Sequence, residues 1–513
     1  MNSEEWKVKR LWPYVGVLLA VVLLAVFEAD LLYTAQEQSL FLHTQLFFEQ
    51  QMVRAGGLLT WAGCYLTQFC YYPMLGAGLL GLLWAFLLWL LKRTFRFKDV
   101  GLGLIPIACL ALTITTLGYW VFYLKLPGVV FDATLGTIVA VLMAGVYHLL
   151  PARFFVRTVF VPLSACIAYP LFGFYGLWGV ALMALMAWCT EGSHRIIDSL
   201  LALFAIIAVP LICYHTLYHE TNIVNIYWTA LPVFSYSGHR FFGYYVPYII
   251  LVCSIAFLSR FKTISSTKGN LAPHISYLAP RIIAILALAI FWYKDGNFHR
   301  ELAMSRSIDR QDWNSVLRTA QVAKEPTRAI CLMRNLALFR LGKSGDETNH
   351  YPNGSALPNA PFPVRMVHTF GKRLYLEYGI PNYCYRWCME DGVEYGWTIE
   401  RLKLMTLCSL INSEFVAAQH YINLLKKTDF HRSWARHYQD MLYRPSVIAG
   451  DPALKPILPL LRDDNFLTSD QSQLEHFLFE HILSTSGGTR EQEELARFTM
   501  RYYRRNKCKI IEP

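Results

Sequence analysis

The sequence predicts an all-α protein, in which a polytopic helical membrane domain of about nine transmembrane helices precedes an extracytoplasmic helical domain. Two observations lead to this prediction. Of the 513 residues, 55% are hydrophobic, and long apolar runs recur only before the stretch Tyr293-Lys294-Asp295-Gly296. Beyond that stretch, apolar residues return with the period of an amphipathic helix, which is typical of a soluble all-α domain.

Nine apolar runs in the first part of the chain are long enough to cross a bilayer. They lie near residues 11–27, 73–91, 102–123, 129–149, 155–174, 175–190, 196–214, 244–259 and 279–293. No small-residue cleavage site follows the first run, and the loop after it is acidic and aromatic. We therefore expect this run to remain as a membrane helix rather than to be removed as a signal peptide.

Positive charge is unequally divided between the two alternating sets of connecting segments. One set carries 13 Lys and Arg residues and the other carries three. The richer set consists of the N-terminus and residues 92–98, 151–157, 190–196 and 260–268. The poorer set contains Arg54, Lys125 and Arg240. Because positively charged loops are retained in the cytoplasm, the N-terminus is predicted to be cytoplasmic, and the odd number of helices places the C-terminal part outside.

The compositional break divides the chain into two predicted domains. Residues 1–294 form the polytopic domain, with external loops 28–56 and 214–243, and residues 295–513 form the soluble extracytoplasmic domain. The second domain has a nearly balanced charge. The formal net charge of +11 therefore reflects membrane orientation and a basic C-terminal end, and it does not indicate a nucleic-acid partner.

The soluble domain is predicted to consist of helical hairpins. The clearest pairs Trp397–Ile411 with Glu414–Lys427 across Asn412-Ser413. Trp313 and Phe415 begin similar patterns 102 residues apart, three times a 34-residue period, which resembles degenerate tetratricopeptide (TPR-like) units. The middle of that interval shows no repeat, and the proline-rich residues 343–363 predict a loop. The alternative is an irregular helical domain with a chance similarity.

Two carboxylates, Glu28 and Asp30, directly follow the first membrane run. A charge near a membrane segment is costly and usually has a purpose. If the protein is an enzyme, its catalytic acid is predicted here. The alternative is that both residues mark the membrane boundary or cap a helix.

Both external loops are polar and aromatic. In the first, residues 56–73 have Trp, Tyr, Thr and Gln on an apolar background, which predicts an interfacial or re-entrant helix before a span that starts at Pro73. The second, residues 214–245, is longer than a simple connection requires. Their aromatic residues suit either a sugar-stacking platform or an interfacial belt.

This arrangement resembles the GT-C glycosyltransferases, multi-pass enzymes that use polyprenyl-phosphate-linked sugars. The resemblance covers about residues 1–300 and is architectural, because Glu28-Ala29-Asp30 matches only loosely the acidic motif of the first external loop. Residues 56–73 also resemble an uncharacterised family of bacterial envelope membrane proteins. The resemblance implies transfer of a sugar to an envelope acceptor at the outer face of the bacterial inner membrane, with the C-terminal domain in the periplasm.

An inverting transfer needs a carboxylate that accepts the proton of the acceptor hydroxyl. Asp30 is the first candidate for this base and Glu28 the second. The departing lipid phosphate needs cationic stabilisation, and Arg54 and Arg240 are the external arginines of the membrane domain that suit a bidentate phosphate contact. Arg54 has the alternative of pairing with Glu49 or with lipid headgroups.

A divalent metal ion is a weaker prediction. His215 and His219 stand four residues apart beside Glu220, a spacing compatible with metal binding but common by chance. Cys384 and Cys388 share a helical spacing, although buried free thiols are the simpler interpretation. Asp132 and Asp198, which fall near or inside apolar runs, are interpreted as residues of helix packing or of helix ends.

Two other classes of protein compete with an enzyme. A non-enzymatic scaffold for envelope assembly would use the external helical repeats to hold a protein partner. A transporter fits less well, because the membrane domain has no evident internal repeat. Convergence of the candidate residues on one cavity favours the enzyme, and their dispersal favours the scaffold.

Overall fold

A computed structural model gives the fold of most of the chain. It describes residues 3–95, 102–125, 128–151, 154–188, 195–219, 221–260, 292–461 and 488–506, and single positions or short pieces at 282, 285, 286, 288–290, 480 and 482–484. The chain forms two compact units. The first comprises residues 1–120 and 124–293, and the second comprises residues 294–513 together with Val121–Tyr123.

The first unit is helical. Its helices are α1 (Ser3–Phe27), α2 (Ala29–Glu37), α3 (Gln45–Met52), α4 (Gly57–Thr67), α5 (Pro73–Phe95), α6 (Ile105–Thr115), α7 (Trp120–Tyr123, whose last three residues belong to the second unit), α8 (Val129–Leu149), α9 (Phe154–Phe172), α10 (Phe174–Ala187), α11 (Arg195–Thr216) and α12 (Val246–Arg260). In the part of the chain that the structure describes, the only strands are β1 (Ser235–Tyr236) and β2 (His239–Arg240), which form one antiparallel hairpin.

Within the described residues, four helices are long and apolar enough to cross a membrane, and a fifth span results if α1 and α2 count as one broken helix. The four lie in Pro73–Phe95, Val130–Leu149, Phe155–Phe172 and Arg195–Thr216. The chain is thus a membrane protein, while the count of nine stays a prediction. Glycines with left-handed backbone explain two shorter apolar helices: Gly118 (φ 82°) follows the end of α6, and Gly173 (φ 56°) separates α9 from α10. About half of the expected run at 279–293 lies outside the described residues.

Small residues let the membrane helices approach each other closely. Such packing is usual in lipid, because the hydrophobic effect does not drive helices together there. A Cβ on Gly81 would lie 2.3 Å from a Val21 methyl group, and one on Gly136 would lie 2.3 Å from the Tyr175 ring. A hydrogen bond of 3.1 Å from Trp84 Nε1 to the Thr134 hydroxyl also joins α5 to α8. The first unit therefore has specific packing rather than loose apolar contact.

The second unit is also helical. Its helices are α13 (Gly296–Asp309), α14 (Trp313–Gln321), α15 (Arg328–Arg340), α16 (Gly371–Glu377), α17 (Pro381–Tyr395), α18 (Ile399–Ile411), α19 (Phe415–Leu425), α20 (Arg432–Gln439), α21 (Pro445–Gly450) and α22 (Arg490–Asn506). Between α15 and α16 the described chain contains only two short 3-10 turns, Asp346–His350 and Met366–His368. The proline-rich residues 343–363 are therefore non-helical apart from the first of these turns, as predicted.

One backbone turn recurs between paired helices of the second unit. In this turn, the amide of a residue with left-handed backbone donates a hydrogen bond to the carbonyl oxygen three residues before it. The next residue caps the following helix, and its amide donates to the carbonyl oxygen five residues before it. The left-handed residues are Gln311, Gly379 and Ser413. They are 68 and 34 residues apart. A turn of the same geometry thus lies at Gly379, inside the interval in which the sequence shows no repeat.

The helices after the first and last of these turns also match in register. Val316, Ala320 and Ala323 are fully or almost fully buried, and so are Ala418, Ile422 and Leu425, each 102 residues further on. Trp313 and Phe415 occupy equivalent first positions of α14 and α19. Both are only half-buried, so they begin the repeated pattern without being part of the core.

Three cysteines of the second unit, Cys384, Cys388 and Cys408, are buried as free thiols. Burial is the main cause that raises the pKa of Cys384 and of Cys388 well above the usual value, so both thiols stay protonated and unreactive. Cys508 lies outside the described residues. The interpretation of these cysteines as small apolar core residues agrees with this environment.

Candidate functional site

The first site feature is a sharp bend at Glu28. The axes of α1 and α2 differ in direction by 76°. Glu28 ends one helix and begins the next, since its amide donates to Leu24 O (3.1 Å) and its carbonyl oxygen accepts from the Leu32 amide (2.9 Å). The Glu28 side chain is 2% exposed and accepts a hydrogen bond of 2.7 Å from Trp292 Nε1. Glu28 is thus a fixed internal residue of the bend.

Asp30 has a different environment from Glu28. It lies in the first turn of α2 and is only half-buried. The partial positive charge at a helix N-terminus stabilises a carboxylate in this position. Of the two predicted acids, Asp30 is the less buried.

An aromatic cluster follows α2 in the first loop. Phe41 is its centre, with ring centroids of His43, Phe47, Trp61 and Tyr65 at 4.9 to 5.6 Å in edge-to-face contact. Such contacts fix aromatic side chains in defined orientations. Tyr65 remains 36% exposed. The predicted interfacial segment therefore contributes Trp61 and Tyr65 to this cluster, and α5 begins after the segment at Pro73.

Arg54 is placed beside a carboxylate that the sequence did not identify as functional. The half-buried Arg54 interacts electrostatically with Asp132 and with Cys64. Asp132 lies in the first turn of α8 and is 2% exposed. Its Oδ1 abuts α4 so closely that a Cβ on Gly63 would lie 1.7 Å from it. The interpretation of Asp132 as a residue of helix packing is correct in part, but its carboxylate also faces polar groups.

Arg240 lies on β2 and is exposed. Its Nη2 donates a hydrogen bond of 2.8 Å to Asn225 Oδ1. Ser237 (φ 47°) and Gly238 (φ 82°) form the tight connection of the hairpin. The hairpin therefore presents the Arg240 guanidinium at the surface of the second external loop, with one fixed partner.

The predicted metal ligands are incompletely described. His215, in the last turn of α11, and His219 are both exposed, and the His215 ring contacts Tyr214 at 5.0 Å. Glu220 lies outside the described residues. Among the residues that are described, no three His, Cys, Asp or Glu side chains are grouped to hold a metal ion. The donors present do not by themselves fit a metal site.

The four residues predicted for transfer fall into separate environments. Glu28 and Asp30 lie at the start of α2. Ser39 lies just beyond the other end of α2, and it interacts with Cys64, which also interacts with Arg54. The rise of an α-helix puts the two ends of α2 about 12 Å apart. Arg240 has its own partner on the second loop.

The second unit contains a charged cluster that the sequence did not indicate. Lys372, in α16, is 0% exposed and its Nζ lies 2.7 Å from Asp391 Oδ2, in α17. His368 Nδ1 lies 2.8 Å from the other carboxylate oxygen, and Arg401 Nη2 lies 3.8 Å from Oδ2. Although burial alone raises the pKa of Asp391, Lys372, His368 and Arg401 together hold it well below the usual value. Asp391 is therefore an ionised acceptor.

Aromatic rings surround the His368 imidazole. The centroids of Tyr123, Trp387 and Tyr395 lie 5.6 to 5.9 Å from it. The Tyr123 hydroxyl accepts a hydrogen bond of 3.1 Å from the Arg365 amide, which fixes this residue within the second unit. The ionised Asp391 accepts a hydrogen bond from Nδ1 of His368, which fixes the orientation of the imidazole ring. His368 is therefore part of the buried ion network.

No sequence signal could have located this cluster. His368, Lys372, Asp391 and Arg401 have no motif spacing, and each is an ordinary polar residue of a helical pattern. From the sequence, Asp391 and Arg401 would be placed on the exposed faces of their helices, because charged residues are seldom buried without partners. Only the packing of α16, α17 and α18 brings them together.

The fold and these sites define a polytopic helical membrane protein with a separate helical unit. The chain belongs to a family of unknown function, DUF6057, whose model matches residues 5–486. No curated protein and no solved structure matches the chain.

Proposed function

We propose that this protein is a membrane glycosyltransferase of the GT-C type. It transfers a sugar from a polyprenyl-phosphate-linked donor to an envelope glycan, lipid or protein at the outer face of the bacterial inner membrane. The observation that supports this most is the bend at Glu28, where a membrane helix turns by 76° into a short helix whose first turn carries the accessible Asp30.

The two acids have different roles in this proposal. Asp30 is the general base that accepts the proton of the acceptor hydroxyl as its oxygen attacks the anomeric carbon. Glu28 is a positioning residue, because its hydrogen bond from Trp292 keeps the carboxylate inside the bend. The aromatic cluster around Phe41 offers ring faces and edges for the sugar or the isoprenoid chain.

The two arginines stabilise negative charge on the departing lipid phosphate. Arg240 is exposed and single-partnered, so its guanidinium has donors to spare for a phosphate. Arg54 contributes less in this proposal, because it lies near the end of α2 that is remote from Asp30. Transfer from a radiolabelled polyprenyl-phosphate-linked sugar tests the activity, in membranes with and without the protein. A matching difference in the envelope glycan profile would identify the product, whereas identical transfer and profiles would refute the proposal.

The orientation follows from the charge asymmetry, with nine spans, a cytoplasmic N-terminus and residues 295–513 in the periplasm. A full-length chain carrying alkaline phosphatase after Pro513 is therefore expected to be enzymatically active, because this reporter folds only outside the cytoplasm. A green fluorescent protein at the same position is expected to stay dark after export through the general secretion route. The reverse pair of results would exclude an external site at Asp30.

A second candidate function is a membrane-anchored scaffold for envelope assembly. The separate environments of Asp30, Arg54 and Arg240 favour it, and so does the recurring turn at Gln311, Gly379 and Ser413. Degenerate TPR-like hairpins present surfaces for a protein partner. Val393, on α17, is 81% exposed and Val416, on α19, is 67% exposed. A scaffold predicts that Val393→Asp and Val416→Asp reproduce the deletion phenotype while Asp30→Asn does not. The transferase predicts the opposite.

A further inference from the structure

Two aspartates lie buried in membrane-spanning helices, and their surroundings differ. Asp198, in α11, is 4% exposed, and each of its oxygens accepts a hydrogen bond. Tyr147 donates to Oδ2 at 2.8 Å and Thr158 donates to Oδ1 at 3.0 Å. Asp198 is thus a carboxylate with its acceptors satisfied.

Asp132, in α8, is 2% exposed, and neither of its oxygens has a hydrogen-bond partner among the described residues. A buried carboxylate in that state is unusual, because buried polar atoms in proteins are nearly always paired. An ionised carboxyl without donors is also very costly inside a membrane protein.

Two tyrosine hydroxyls that interact with Asp132 are also buried without a hydrogen-bond partner among the described residues. Tyr175, in α10, and Tyr248, in α12, are both buried, and neither hydroxyl has a hydrogen-bond partner within the described part of the chain. Both phenols interact electrostatically with Asp132, and Tyr248 interacts with Tyr175 as well. Three unsatisfied polar groups from three helices therefore interact electrostatically with one another.

We propose that Asp132, Tyr175 and Tyr248 form a proton-binding site in the membrane unit, in which the Asp132 carboxyl takes up a proton from water and the tyrosine hydroxyls lie along the route of exchange. The step is balanced, since one proton converts the carboxylate to the neutral acid. This site is independent of the proposed transferase activity, because none of its three residues has a role there.

The charges around Asp132 oppose this proton and must be weighed. Arg54, which precedes α4, and the N-terminus of α8 both favour the ionised carboxylate. The other titratable groups that interact with it are Cys64 in α4, Tyr175 and Tyr248. Among the described residues, neither Arg54 nor the helix end donates a hydrogen bond to the carboxyl, so an ionised Asp132 has no donor to stabilise its charge. A proton on the carboxyl removes that charge.

Infrared spectroscopy of the full-length protein in an ester-free detergent tests the proposal. The wild-type protein near neutral pH is expected to show the C=O stretch of a protonated carboxylic acid, shifted in heavy water. Asp132→Asn is expected to lose that band entirely, whereas the matched variant Asp198→Asn is expected to keep it. The band is expected to weaken as the pH is raised. A band unchanged in Asp132→Asn, or absent from the wild type, would overturn the proposal.

A stability comparison gives a second, independent readout. Asn resembles a neutral carboxyl group, so Asp132→Asn is expected to leave the thermal midpoint of the full-length protein nearly unchanged. Asp198→Asn replaces one of the two oxygens that accept hydrogen bonds from Tyr147 and Thr158, and is expected to lower the thermal midpoint. Equal losses would contradict a protonated Asp132. Loss of the infrared band in sodium chloride but not in choline chloride would assign the site to a metal cation instead.

Discussion

Asp30→Asn is expected to abolish sugar transfer while the protein remains folded and inserted. Asn is nearly isosteric with Asp and still forms hydrogen bonds, so a residue that only marks the end of a helix tolerates it. Asn cannot accept a proton, and loss of a general base typically lowers the rate by about 10² to 10⁴. The measurement is transfer from a lipid-linked sugar in membranes that contain matched amounts of each variant.

Glu28→Gln is the matched control for Asp30→Asn, because the two residues lie in the same bend. The Gln side chain keeps an oxygen that can accept the hydrogen bond from Trp292, so we expect a smaller loss than for Asp30→Asn. Wild-type transfer from the double variant would remove the basis of the catalytic assignment and favour the scaffold. A loss confined to Glu28→Gln would exchange the roles of the two acids.

Asp391→Ala is expected to destabilise the second unit by about 3 to 5 kcal/mol, because removing one member of a buried ion pair leaves the other charge uncompensated. The stranded charges are Lys372, which is 0% exposed, and Arg401, which is 2% exposed. Hydrogen exchange of α16, α17 and α18 in the full-length protein measures this loss as faster opening of their amides.

Glu390→Ala is the control for Asp391→Ala, since the two residues are neighbours in α17. Glu390 pairs with Arg386 at 2.7 Å, but both side chains are substantially exposed, and exposed pairs contribute about 0 to 1 kcal/mol. Equal exchange rates in the two variants would show that the buried cluster does not stabilise this unit.

The same cluster predicts an acid dependence of stability. The pKa of Asp391 is held well below its usual value in the folded chain, so its contribution is fully present above about pH 4, the unfolded value. The contribution is lost as the pH falls below that value. Asp391→Asn should remove this part of the acid sensitivity, and an unchanged profile would contradict the assignment.

The local order of the second unit was largely readable from the sequence. The hairpin of α18 and α19 has the predicted partners, since the apolar period fixes which face of each helix is buried. The 102-residue relation between Trp313 and Phe415 matches equivalent helix positions. The turn at Gly379 was not predicted, because the left-handed position is Gly there but Gln and Ser in the other two turns. The backbones are alike, but the sequence does not show it.

The candidate sites were predicted unevenly. Glu28 and Asp30 could be identified from the sequence because acidic residues are rare beside a membrane-spanning run. The sequence treated them as a pair, whereas the bend at Glu28 separates an internal acid from an accessible one. Likewise, the positions of Arg54 and Arg240 were known, but their partners Asp132 and Asn225 were not.

By itself, the sequence determined that the chain crosses a membrane, that it is helical in both parts, and that the composition changes near Lys294. These properties follow from local composition and periodicity, which each segment carries independently of the others. Tertiary structure alone decided which polar groups meet: Asp132 with Tyr175 and Tyr248, and Asp391 with His368, Lys372 and Arg401. Contacts between residues far apart in the chain depend on how helices pack, and helix packing depends on side-chain shape at every crossing at once.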